Sequence, residues 1–239
     1  MRIVKALFWI ALLPACTSVY QPDKSLSKDP VTMAEARIKL GVGYLQQQQF
    51  IKARQNFEKA LIHAPDYYRS QLSMAYYYEK VGDSSKAANH YDKALRDNPK
   101  NGNVLNNYGT FLCKQGDYEK AEQLFTLAIN QPYYYLVSAS YENAGFCALK
   151  NKNIDKAQHY FEKAIAHQPM RPKSTLQLAA IEIQQQHYTQ ARVRLMQFHQ
   201  RYGYTYSSLV LAVDIEKKTG NQTLEKKYRD LLKKTPRPS

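Results

Sequence analysis

The amino-acid sequence predicts an all-α protein, a right-handed superhelical solenoid of about six helix-turn-helix repeats. Three observations predict it. A small–large–small trio recurs every 34 residues or so, as Ala53, Phe57 and Ala60, then Ala87, Tyr91 and Ala94, Ala121, Phe125 and Ala128, and Ala157, Phe161 and Ala164. A small residue precedes each trio in constant phase, at Gly41, Ala75, Gly109 and Gly145. Turn and stop signals follow the repeat: Gly82-Asp83, Gly116-Asp117 and Gly220-Asn221 within units, and Pro65, Pro99, Pro132 and Pro169 after them, Pro132 coming one place early. Such a period marks stacked supersecondary units, none of which buries its apolar face alone.

In chain order, the first element is a leader. MRIVK is a short basic segment, ALFWIALL is an apolar run too short to span a bilayer, and LPAC closes it. The Leu-x-small-Cys ending resembles a bacterial lipobox. That resemblance implies cleavage after residue 15, acylation of Cys16 and, because Thr17 follows, sorting to the outer membrane. Acyl chains anchor by about 0.8 kcal/mol per buried methylene. Residues 16–33 are polar and read as a flexible tether with a root-mean-square span of roughly 20–24 Å.

The units follow at 34–67, 68–101, 102–137, 138–171, 172–205 and 206–239. Two extra residues enter the third around PYYY at 132–135. The fifth keeps Leu178-Ala179, Ala191 and Leu195 but ends on Gly203, and the sixth, with Ala212, Gly220 and Leu232, reads as a charged capping unit. The pattern resembles the tetratricopeptide repeat.

Catalytic signatures are missing: there is no glycine-rich phosphate loop, no H-E-x-x-H pair and no serine nucleophile elbow. His63 and His167 sit just before the prolines that end their repeats, where an imidazole favours a helix C-terminus. The expectation is a binding module, with no enzymatic activity, cofactor, metal or small-molecule substrate.

Function is expected on the concave face, lined by first helices. The helical period places Ile38, Val42 and Leu45 there, then Leu72, Tyr76 and Glu79, Asn103, Asn106 and Thr110, Glu142, Phe146 and Leu149, and Leu176, Ala180 and Ile183, with Asn107 and Asn143 as further groove candidates. An apolar groove of this kind suits an extended or helical peptide, and the early units, with Val42, Leu45, Leu72 and Tyr76, are expected to capture it. Packing against the tether or a neighbouring protomer is the alternative for those residues. Asn107 and Asn143 share one repeat position; their amides suit a ligand backbone, each other or loop carbonyls equally.

Cys113 lies two residues further along its helix than Cys147, a rotation of about 200°. That offset turns one toward the following helix and the other back toward the preceding one. A disulfide stapling units three and four is therefore expected in an oxidising compartment, with two buried thiols as the alternative.

The chain carries a formal charge of +14, which falls to +12 when Arg2 and Lys5 leave with the leader. No acidic side chain lies between Glu182 and Asp214, and 217–237 adds eight basic residues against Glu225 and Asp230. The C-terminal end should be positive, facing an acidic protein surface or anionic lipid. The leader argues against a nucleic-acid partner.

NNYGTFLCKQGDYEKAEQLF (106–125) and YENAGFCALKNKNIDKAQHYF (141–161), with the lipobox and six repeats, resemble the type IV pilus biogenesis and stability lipoproteins of the PilW/PilF type. The resemblance implies an outer-membrane lipoprotein facing the periplasm. Its partner would be the pilus secretin, which such pilotins help to localise and multimerise. The lipobox proline, Pro14, and the strong positive charge depart from that pattern. The competing expectation is a general periplasmic scaffold for polysaccharide-export or cell-wall machinery.

Overall fold

The computed structural model describes residues 29–237. The leader over 1–15, Cys16 and most of the tether lie outside the described residues. Within them, twelve helices pair into six hairpins: α1 (Pro30–Gln46) with α2 (Phe50–His63), α3 (Tyr68–Lys80) with α4 (Ser84–Asp97), α5 (Gly102–Gln115) with α6 (Tyr118–Ile129), α7 (Val137–Lys150) with α8 (Ile154–His167), α9 (Pro172–Gln184) with α10 (Tyr188–Tyr202), and α11 (Tyr206–Lys218) with α12 (Gln222–Lys234). Each hairpin packs mainly on the next, so the chain is an all-α solenoid.

α1 begins at Pro30, inside the stretch assigned to the tether. Asp29 caps it by accepting from the Thr32 amide at 2.8 Å, and Pro30 occupies the first turn, where its missing N–H costs nothing. The Asp-Pro pair is thus a start signal, not a spacer.

All six hairpin turns share one geometry. The residue two before each second helix, at 48, 82, 116, 152, 186 and 220, has a positive φ of 57–89°. The next residue's amide donates back five residues, as from Asp83 to Tyr78 at 2.9 Å and from Asn221 to Glu216 at 2.9 Å. These bonds satisfy carbonyls left open at a helix end. Gly82, Gly116 and Gly220 adopt the conformation without strain; Gln48, Lys152 and Gln186 adopt it because the hairpin packing on either side fixes it. The residue that follows caps the second helix in four units: Asp83, Asp117, Asn153 and Asn221 each accept from an amide three residues on.

The recurring trio forms the core. Phe57, Phe125 and Phe161, with their flanking alanines, are buried. The small residue opposite each ring is a spatial requirement: a Cβ on Gly145 would stand 2.7 Å from Phe161, and one on Gly41 would collide with Phe57. Hairpins are tied to their neighbours by ion pairs, Glu35 to Arg69 at 3.0 Å, Glu79 to Lys114 at 2.6 Å and Glu122 to Lys156 at 2.7 Å. Cys113 and Cys147 form a disulfide between α5 and α7, their Cα atoms 5.7 Å apart, inside a cluster with Phe125 and Ala144. The offset of two residues supplies the half-turn that brings the two sulfurs together.

Candidate functional site

First helices contribute their outward residues to one stripe running the length of the solenoid. Its middle is polar and ordered. Asn106 Oδ1 accepts from Ser140 Oγ at 3.0 Å and from Asn143 Nδ2 at 3.1 Å, so α5 and α7 are joined across the groove floor. Thr110 donates to the Asn106 carbonyl at 2.9 Å, and Asn107 donates to the Asn103 carbonyl at 2.7 Å. Asn107 and Asn143 share a repeat position but not a role: Asn143 is half-buried and spends its amide on Asn106, whereas Asn107 is exposed. Tyr134, from the two-residue insertion, closes the floor. Its hydroxyl lies 3.3 Å from Ser140 Oγ, its ring fills the space a Cβ on Gly102 would need, and burial raises its pKa.

Glu142 belongs to a second tie. It accepts from Arg171 Nη1 at 3.0 Å and Ser174 Oγ at 2.7 Å, while Arg171 Nε donates to Ser138 Oγ at 2.8 Å. The Glu142 side chain is 12% exposed and that of Arg171 18%. This carboxylate holds α7 against α9, and it is committed to that contact.

The early groove differs from expectation. Ile38 is 4% exposed and Leu45 7%. Ile38 packs with Ala34, Ala60 and Ala64, and Leu45 with Phe57, Met74 and Tyr77. Ile38 faces the interior of the stack, as does Ile183 at 3% exposed, whereas Leu45 is largely buried there and meets the surface only beside Tyr76. Val42 and Leu72 are half-buried against those clusters. Tyr76 is the exposed member of that group, with the Lys80 ammonium 5.3 Å from its ring centroid. Together with Gln48 and Phe50 it borders a shallow depression of about 340 Å³.

The broader apolar stretch lies at the other end. Phe146 stands edge-on to Phe161, with centroids 5.1 Å apart. With Leu176, Ala180, Tyr206, Val210 and Leu211 it lines an open groove of about 570 Å³, and Lys173 stands at its rim. Sequence reasoning missed Tyr206, Val210 and Leu211 because the sixth unit was read only as a cap. The signal was present: Val210 is Leu176 advanced by one 34-residue period, and Leu211 is Gln177 so advanced.

Among the described residues no three metal-ligating side chains converge, and no helix is long and apolar enough to cross a membrane. The surface offers apolar contacts at two ends and fixed amides between them, which is the equipment for holding a polypeptide.

Tetratricopeptide-repeat models match residues 34–67, 90–123 and 138–169. An uncharacterized protein of Haemophilus influenzae is 38% identical over 160 residues, covering 67% of this chain and 87% of its own. The type IV pilus assembly protein PilF of Pseudomonas aeruginosa is 31% identical over 211 residues, covering 88% of this chain and 84% of its own. A solved structure of P. aeruginosa PilF superposes with a TM-score of 0.75 at 30% identity, over 86% of this chain and 92% of that one. The likeness covers more than four fifths of the chain in both sequence and structure, and the chain belongs to the tetratricopeptide-repeat family of type IV pilus assembly proteins that contains PilF.

Proposed function

We propose that this protein is a non-enzymatic, lipid-anchored factor of type IV pilus assembly. It binds the pilus secretin on its concave face at the periplasmic side of the outer membrane and promotes secretin localisation and multimerisation. The observation that carries this reading is the likeness to PilF across both the sequence and the stacked hairpins. The leader and the LPAC motif, ending at Cys16, supply the anchor in the same reading. Anchoring turns capture of further secretin subunits into a surface-confined process at raised effective concentration, so assembly is favoured without covalent chemistry.

The groove at units four to six, not the buried Ile38 and Leu45, is the larger apolar contact available, with Tyr76 a second point of attachment. Deletion of the gene tests the function. The proposal expects detergent-resistant secretin multimers to fall and surface pili to be lost, both restored by the wild-type gene. Unchanged multimers and piliation in the deletion strain would refute it and favour a scaffold for another envelope assembly.

A further inference from the structure

The C-terminal cap is more basic than capping requires. Residues 172–239 contain twelve of the chain's basic residues and five acidic ones. Every one of those five carboxylates is already taken: Glu182 by Arg194, Asp214 by Lys218, Glu216 by Arg192, Glu225 by Arg229 and Asp230 by Lys233. Seven cations are left without a carboxylate in ion-pairing range among the described residues, and four of them belong to the last hairpin, Lys217 on α11 and Lys226, Lys227 and Lys234 on α12.

The outward face of α12 is uniform. Its exposed residues are Gln222, Thr223, Lys226, Lys227, Arg229, Asp230, Lys233 and Lys234, none of them apolar. Leu224, Tyr228, Leu231 and Leu232 are half-buried. A terminal repeat needs a polar outer face for solubility, and balanced charge would provide that; unmatched lysines do not follow from it.

We infer that the α11–α12 cap docks on an anionic phospholipid surface. Protein interfaces have cores enriched in aromatic residues, Met and Arg and depleted in Lys. This face has the opposite composition: many lysines and no apolar residue to insert. It matches a diffuse layer of negative headgroups, which attracts each lysine without demanding a shaped pocket. The consequence is two attachments at opposite ends of the solenoid, an acyl chain beyond unit one in the proposed reading and an electrostatic contact at unit six. The solenoid would then lie along the bilayer rather than stand away from it. The inference concerns lipid alone and stands whether or not the secretin is the partner.

The test uses the processed chain, residues 16–239, with Cys16→Ser so that no acyl chain contributes. Sedimentation with vesicles of phosphatidylcholine containing 30% phosphatidylglycerol, against phosphatidylcholine alone, reads the binding. At low salt the chain should partition onto the anionic vesicles, with at least tenfold weaker binding in high salt. K226Q/K227Q/K234Q should also bind at least tenfold more weakly, since each lysine near such a surface contributes roughly fivefold. Its circular dichroism and thermal midpoint should match the parent, because these side chains are exposed. No partition onto anionic vesicles, equal partition onto neutral ones, or full binding by the triple variant would each overturn the inference. The first of these outcomes would leave the patch to an acidic protein.

Discussion

Asn143 Nδ2 donates to Asn106 Oδ1 at 3.1 Å, joining the first helices of units three and four across the groove floor. Below that bond, Cys113 and Cys147 join the same two helices covalently. The middle of the concave face is therefore held twice, once by polar side chains at the surface and once in the core. A binding surface so fixed loses little conformational freedom when a partner docks.

Reduction should expose the value of the covalent tie. The bond closes a loop of 34 residues, for which chain-entropy arguments give about 3–4 kcal/mol. C113S/C147S should lower the urea unfolding free energy by that order, and reductant should do the same to the parent and nothing to the variant. Equal midpoints for oxidised parent and variant would contradict this.

Removing Asn106 should cost more than its exposure implies. Asn106→Ala leaves Ser140, which is fully buried, without its acceptor on α5 and frees Asn143. A loss of about 1–3 kcal/mol is expected, whereas Asn107→Ala, whose amide only reaches back to its own helix, should change stability by under about 0.5 kcal/mol. Chemical denaturation of the two variants checks the contrast.

Two glycines make opposite predictions. Gly145→Ala gains helix propensity of about 1 kcal/mol, but its Cβ meets Phe161 at 2.7 Å in a filled core, and overpacking costs about 1–3 kcal/mol; the variant should be destabilised. Gly43→Ala meets no atom within 4 Å and should stabilise by about 0.5–1 kcal/mol. Thermal midpoints moving in the same direction would contradict the packing account.

The repeat phase was legible because packing imposes it: Ala53, Phe57 and Ala60 recur where helix backbones nearly touch. The Cys113–Cys147 link was legible for the same reason, since a fixed stack turns sequence offset into geometry. The groove was less so. Ile38, Val42 and Leu45 lie one helical turn apart and share one flank of α1, and on the first helix of a stack the flank toward the next unit is as apolar as any groove. Helical period separates buried from exposed within one helix; it does not distinguish an inter-unit flank from a concave face. The apolar residues of unit six escaped because its weak signature hid that its first helix still lines the groove.

Acid should loosen the second unit. His90 is half-buried, stacks on Tyr78 with centroids 5.5 Å apart and has Nδ1 2.9 Å from Gln71 Oε1. Burial, helped by Lys93, holds its pKa below the ordinary 6.5. The unfolded chain thus takes up a proton at higher pH than the folded one. Stability is fully present above about pH 6.5 and is lost as pH falls through the folded value, by at most about 1.4 kcal/mol per pH unit for one group. His90→Gln should flatten the fall in urea midpoint between pH 7.5 and 5.5; His199, also held low by burial, leaves a residual slope.

The central claim is that the concave face holds the secretin. A photo-crosslinking p-benzoyl-phenylalanine placed at Val210 or at Tyr76 in living cells tests it most directly, because both side chains are exposed on that face. The account predicts a light-dependent adduct that secretin antibody recognises, absent when the same probe replaces Ile62, which is exposed on α2 outside the groove. Adducts that contain some other envelope protein and no secretin, from both groove positions, would contradict it.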